Sequence, residues 1–385
     1  MEVITQNMEA PQFLDLDPSP RVLLGPGPSM VPSRVLRAMS APLLGHLDPE
    51  FLVVMNQVQQ LLRYVFQTQN EMTIPLSGTG SAGMEAALVN FIEPGDPVLI
   101  GVNGYFGERL CDMAGRLGAE VDRLERPWGE VFDPDEVAAA LGRKKYRLLA
   151  VVHAETSTGA LQPHVAEIAR AAHEHGALLV LDTVTSLGGV PVEIDAWDVD
   201  VAYSGTQKCL SCPPGLSPIT VGARAREALR ARGARVPNWY LDLTNVEKYW
   251  GQERTYHHTA PISMNYALRE ALRLVAEEGL PARFARHRAN AELLWAGLEE
   301  LDMPPFVPLA YRNPTLTTCR LGPAIDDALA RKRLLDHYNI EIAGGFGPLK
   351  GKIWRIGLMG HSSRRENVAL LLAALAAVCV APALE

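Results

Sequence analysis

The stretch SGTQKCLSCPPG, residues 204–215, sets a lysine among small polar residues and then closes on two prolines and a glycine. Residues 199–203 just before it alternate apolar with small or polar side chains and read as a strand. Lys208 therefore falls in the loop at that strand's C-terminal end, where open α/β sheets keep their chemistry. A lysine serving solubility alone has no need of such a setting.

Outward from this loop, residues 73–222 repeat one pattern of apolar run, polar loop and helical stretch. The runs are EMTIPL, DPVLIGV, RLLAVVH, GALLVLD, VDVAYS and SPITVG, and helix-period segments such as GMEAALVNFI and HVAEIARAAHEHGA lie between several of them. Alternation of this kind predicts an α/β fold, a mainly parallel sheet with helices on both faces. Beyond Pro281 the composition changes to a long charged amphipathic helix, then PTLTTCRL, DDALARKRLLDHY, IEIAGG and KIWRIGLMG, which predicts a small α+β C-terminal domain. The division expected is an N-terminal arm (1–22), a large domain (23–280) and a small domain (281–385).

The whole chain sets the limits. With 385 residues, 48% of them hydrophobic and 21% charged, it can bury a substantial core. A net charge of −8 and a pI of 5.7, with the basic residues scattered, argue against nucleic acid as a partner. The first residues lack the basic-then-apolar order of a signal peptide, and residues 367–383 are too short and too close to Pro382 for a membrane span, so a buried helix is expected there. Five cysteines without a secretory signal point to reduced thiols and a cytoplasmic protein. Cys209 and Cys212 form a C-x-x-C, but no second pair stands at zinc spacing, and no metal is expected.

If the strands are parallel, their C-terminal ends share one edge. The first loop there, SGTGSAG (77–83), sets glycines before a helix N-terminus, whose free N–H groups make a seat for a phosphate. Gly78, Gly80 and Gly83 also satisfy G-x-G-x-x-G, yet the next strand runs into Gly101, Val102 and Asn103 rather than the acid a dinucleotide ribose needs. The following strand ends bring Tyr105 and Phe106, which either cover an aromatic cofactor or pack in a turn, and Thr156, Ser157 and Thr158, whose hydroxyls equally suit a helix cap. The next strand ends in Asp182, a turn residue by itself, and the one after that delivers Lys208. Phosphate seat, aromatic lid, hydroxyls, aspartate and lysine, in that order, match the parts of pyridoxal 5′-phosphate: the lysine forms a Schiff base with its aldehyde and the aspartate pairs with its pyridinium nitrogen.

With these residues in place, the sequence resembles the class V aminotransferases of fold type I, and within them the alanine–glyoxylate and serine–pyruvate group. LLGPGPS (23–29), SGTGSAGMEAAL, GYFGER, HAETSTG, LDTVTSLGG, YSGTQK, YWGQERTYHHTAP (249–261) and KIWRIGLMG (352–360) carry the resemblance. It implies a seven-stranded sheet, with Lys208 as the Schiff-base lysine and Asp182 as the pyridinium partner. It also implies cofactor contacts from Thr79, Gly80, Ser81, Phe106, Thr156, Val184 and Gln207. Tyr256 and Thr259 match positions that reach the phosphate in the neighbouring subunit, which implies a homodimer. Arg355 matches the arginine that takes the substrate α-carboxylate; an ion pair to an acid in the small domain is the other reading of an arginine inside IWRIGLM. The implied reaction is transamination between a small amino acid and a 2-oxo acid, L-alanine to glyoxylate, with serine as an alternative donor. Relatives often have histidine at Ser81 and tryptophan at Phe106. A cysteine desulfurase of the same fold needs a cysteine on a mobile loop, whereas Cys319 lies in a strand-like run.

Overall fold

The computed structural model describes residues 10–379. Seven strands form the central sheet: β1 Met72–Ser77, β2 Pro97–Val102, β3 Glu120–Glu125, β4 Leu148–Val152, β5 Leu178–Asp182, β6 Val201–Tyr203 and β7 Leu216–Val221. Their spatial order is β1-β7-β6-β5-β4-β2-β3. β7 is antiparallel to both its neighbours and every other pairing is parallel, so β1 runs in the same direction as β6. The expectation of a mainly parallel α/β sheet holds.

Period-two alternation decides which side of the sheet each residue faces. Leu149, Val151, Leu179 and Leu181 enter one core, while Leu148, Ala150, Leu178 and Val180 enter the other. Strands buried on both faces read as unbroken apolar runs. β3 differs: its sequence EVDRLE lies at the sheet edge and is nowhere fully buried. Charged side chains there discourage pairing with another chain.

The C-terminal lobe is built on antiparallel strands at Leu316–Arg320, Ile353–Gly357 and Ala343–Gly344. Its core joins Leu294, Leu298, Trp354, Ile356, Leu371 and Leu375 from these strands and the helices around them. Residues Val22–Leu23 pair with Ile340–Glu341, and Leu24 is buried in this same core. The chain is thus anchored on the C-terminal lobe before the loop GPGPS crosses to the sheet. The last described helix, Arg365–Cys379, buries Val368, Leu371, Ala374 and Leu375 as expected, while Pro382 lies outside the described residues. Among the described residues no helix is long and apolar enough to cross a membrane.

Candidate active site

The loop carrying Lys208 is held from inside and from above. Inside, the Thr206 hydroxyl donates to the Pro213 carbonyl at 2.8 Å, and the amides of Ser211 and Cys212 donate to the carbonyls of Lys208 and Thr206 at 3.0 and 3.1 Å. From above, Ser29 donates its amide to the Gln207 carbonyl at 2.9 Å and its hydroxyl to the Lys208 carbonyl at 2.7 Å. Lys208 Nζ donates to the Pro26 carbonyl. Gly27 has φ +109°, and a Cβ there would stand 2.7 Å from Nζ, so only glycine lets this loop close over the lysine. Burial pushes the Lys208 amine down to about 8, with nearby Arg355 working in the same direction and Asp182 against it. A neutral amine is therefore accessible near neutral pH.

Asp182 ends β5 opposite Tyr203 in the register of β6. It is buried and accepts the Val184 amide at 2.8 Å and the Tyr203 hydroxyl at 2.7 Å. Burial raises its carboxyl to about 6 even though both bonds favour the charged form. In the cofactor-free protein the unfolded chain releases this proton more readily, so Asp182 costs stability as pH rises from about 4 to about 6, by up to roughly 3 kcal/mol. The melting temperature of cofactor-free Asp182→Asn relative to wild type should therefore increase between pH 4 and pH 7. A constant difference would mean that the carboxylate is not buried.

Glu155 is a second buried acid. It accepts the Ser157 hydroxyl at 2.6 Å, the Ser157 amide at 3.0 Å and the Phe106 amide at 3.2 Å; burial holds its carboxyl up near 7. Ser157 Oγ in turn accepts the Tyr105 amide at 2.9 Å. These bonds fix the start of the helix Tyr105–Arg116 and hence the placement of both aromatic rings.

The helix Gly80–Val89 starts at Thr79 with no side chain capping its first turn, which leaves backbone donors for an anion. Thr79 and Ser81 are exposed, and Gly80 is packed so that a Cβ would meet Val184 Cγ2 at 3.4 Å. Arg109 donates to Ser81 Oγ at 3.3 Å, its guanidinium 4.8 Å from the Phe106 ring centroid and 5.2 Å from that of Tyr105. Thr156 and Thr185 share a hydroxyl hydrogen bond, and Gln207 Oε1 is buried with no partner. Uncapped helix donors, a buried orphan oxygen, a desolvated lysine and a buried aspartate fit pyridoxal phosphate.

Arg355, on the strand Ile353–Gly357, is buried; its Nε donates to the Gly344 carbonyl at 2.8 Å and its guanidinium lies 3.8 Å from the Phe346 ring centroid. Among the described residues its two terminal nitrogens make no hydrogen bond and it pairs with no acid, so the small-domain ion pair is not formed. Burial pushes it down to about 10, with the Glu155 carboxylate acting against that shift without bonding to it.

The structure does not bring every expected residue to this site within one chain. Tyr256 and Thr259 are exposed, and the Tyr256 ring lies 5.1 Å from His46, with no hydrogen bond to the lysine loop. His257 stacks on Trp239 at 4.4 Å and His258 bonds Ser77 Oγ at 2.6 Å; among the described residues no cluster of three metal-binding side chains occurs. Cys209 and Cys212 are buried, and burial raises both thiols. Sequence reading passed over Tyr203, Glu155, Arg109 and Phe346. Tyr203 had a signal, since it stands beside Asp182 once the two strands are set side by side. The carboxyl of Glu155, inside a polar loop, looks like surface.

A parallel sheet whose strand ends converge on a desolvated lysine and a buried aspartate defines a pyridoxal-phosphate enzyme. Residues 21–357 match the aminotransferase class-V model, and the chain belongs to that family: it is a transaminase with pyridoxal phosphate as cofactor. It is 43% identical to the (S)-ureidoglycine–glyoxylate transaminase of Bacillus subtilis over 93% of this chain and 90% of that one. It is 41% identical to the alanine–glyoxylate aminotransferase of Rattus norvegicus over 90% of this chain and 84% of the relative. A crystal structure of the alanine–glyoxylate aminotransferase from Nostoc sp. superposes with a TM-score of 0.93 at 54% identity, covering 95% of this chain and 97% of that one.

Proposed function

We propose that the protein transfers the amino group of L-alanine to glyoxylate, giving pyruvate and glycine. One observation carries the choice of substrate class: Arg355 keeps two terminal nitrogens free in a buried position close enough to influence Lys208 electrostatically. A free planar fork suits the carboxylate of an amino acid whose amine reacts beside Lys208. The identity to alanine–glyoxylate aminotransferases supports the particular pair of substrates.

When bound, pyridoxal phosphate supplies an aldehyde for the amino group and an electron-withdrawing ring. Thr79, Gly80 and Ser81 would hold its phosphate, Thr156 would make a further contact to the cofactor, and Phe106 and Val184 would lie against its ring. Asp182 would keep the ring nitrogen protonated, with Tyr203 holding the carboxylate in place, and Gln207 would use its orphan oxygen. Lys208 anchors the cofactor and, once free, is the base that takes the proton from the donor's α-carbon. Tyr256 and Thr259 of a second copy complete the phosphate site in a homodimer, which accounts for their exposure here. The lobes meet near residue 281, after Gly279 separates the helices Ile262–Glu278 and Leu280–Glu300. Free thiols throughout the described chain fit the reducing cytoplasm.

Desulfurase chemistry is disfavoured, because Cys319 is buried within a strand and burial raises its thiol to about 12. The test is the absorbance of the cofactor-loaded protein. L-Alanine should change the cofactor's visible band and glyoxylate should restore it. A band unmoved by alanine but moved by L-serine or by (S)-ureidoglycine would reassign the donor.

A further inference from the structure

The two lobes meet over the carboxylate clamp through a pair of aromatic rings. Phe346, in the loop between Gly344 and the strand Ile353–Gly357, covers one face of the Arg355 guanidinium at 3.8 Å. Its centroid is also 5.0 Å from that of Tyr105, which opens the helix Tyr105–Arg116 of the large lobe. Tyr105 meets the Phe106 ring edge-on at 5.7 Å. The Phe346 loop is docked on the large lobe a second time at Gly347, where a Cβ would stand 3.1 Å from the ring of Trp128. A chain of ring contacts, tilted at Phe346–Tyr105 and edge-on at Tyr105–Phe106, therefore runs from the substrate arginine to the ring assigned to the cofactor face.

We propose that the Tyr105–Phe346 pair is the wall that limits the length of the donor side chain, making these two residues determinants of specificity. The inference rests on the proposed function, since it takes Arg355 as the carboxylate clamp and Phe106 as a cofactor contact. A donor held by its carboxylate at Arg355 and its amine near Lys208 has its α-carbon between them. Because Phe346 covers the guanidinium that would hold the carboxylate, we place the donor side chain against the aromatic bridge. Neither lobe alone forms this wall, because one ring comes from each. Phe346 also has a second effect, fixing the plane of the guanidinium whose Nε is already used by Gly344. No hydrogen bond or cation–π contact joins Tyr105 to Arg355, so the two variants separate the effects.

The test measures affinities of straight-chain monocarboxylates, acetate to hexanoate, for the cofactor-loaded protein by the perturbation of its absorbance. Wild type should bind the short acids and discriminate against the long ones. Tyr105→Ala and Phe346→Ala should both relax the long-to-short affinity ratio by roughly 10-fold or more, the scale at which a pocket senses one or two methylenes. Only Phe346→Ala should also weaken every acid together, by loosening the clamp. Phe346→Leu should lie between. Both rings are more than a third exposed, at 39% and 37%, so their removal spares the core. A flat chain-length profile in wild type, or variant profiles parallel to that of wild type, would overturn the inference. If the ratio relaxes as expected while alanine leaves the cofactor band unchanged, the wall stands and the donor assignment fails.

Discussion

Lys208→Ala is expected to lower kcat by roughly 10³-fold or more, since a positioned base is worth 10²- to 10⁴-fold and this residue is also the covalent anchor. The loss should be chemical rather than structural. Lys208 is held by its backbone, through Ser29 and Ser211, and those bonds survive truncation of the side chain. Cofactor should still bind through the phosphate loop and Asp182, but borohydride should no longer fix it to the chain. Mass spectrometry of the reduced, digested wild type should find the cofactor mass on the peptide containing Lys208. Near-normal turnover by the variant, or fixation at another lysine, would remove Lys208 from its role.

The second large effect is expected at Arg355. Two charge-assisted hydrogen bonds at about 1.5–2 kcal/mol each correspond to a loss of roughly 10²- to 10³-fold in kcat/KM for alanine in Arg355→Ala. Arg355→Lys should recover little, because an ammonium has no planar fork and cannot reproduce the bond from Nε to Gly344. A readout independent of turnover comes from the coupling to Lys208. Arg355 holds the lysine amine down, so its removal should raise that amine. The pH at which cofactor-free protein begins to capture pyridoxal phosphate should then be higher than in wild type. Unchanged capture together with unchanged kcat/KM would mean that the carboxylate binds elsewhere.

Residues differ in how plainly the sequence announces them, and the difference follows from the range of the interaction involved. β4 and β5 could be read because strands buried on both faces must be apolar throughout. β3 has no apolar run to mark it, because a sheet edge facing water accepts EVDRLE, a pattern that resembles a loop. The antiparallel direction of β7 is equally silent, since direction is a property of the connection and not of the side chains. In the site, Lys208 and Asp182 stood out as charges placed at the ends of apolar strands. Glu155 did not, because a carboxylate in a polar loop looks solvated until its bonds to Ser157 and Phe106 are seen.

The sequence by itself determined the inner apolar strands and the chemistry of each loop, since these depend on residues close together in the chain: alternation within a strand, glycines before a helix, small residues and prolines around a lysine; the order of those loops along the chain pointed to the cofactor. Only the tertiary structure decided what crosses between segments. It set Tyr203 on Asp182, laid Gly27 over Lys208, left Arg355 without an ion pair and joined Phe346 to Tyr105 across the two lobes. Such contacts couple residues tens to hundreds of positions apart, and a one-dimensional pattern carries no record of which distant surfaces packing will bring together.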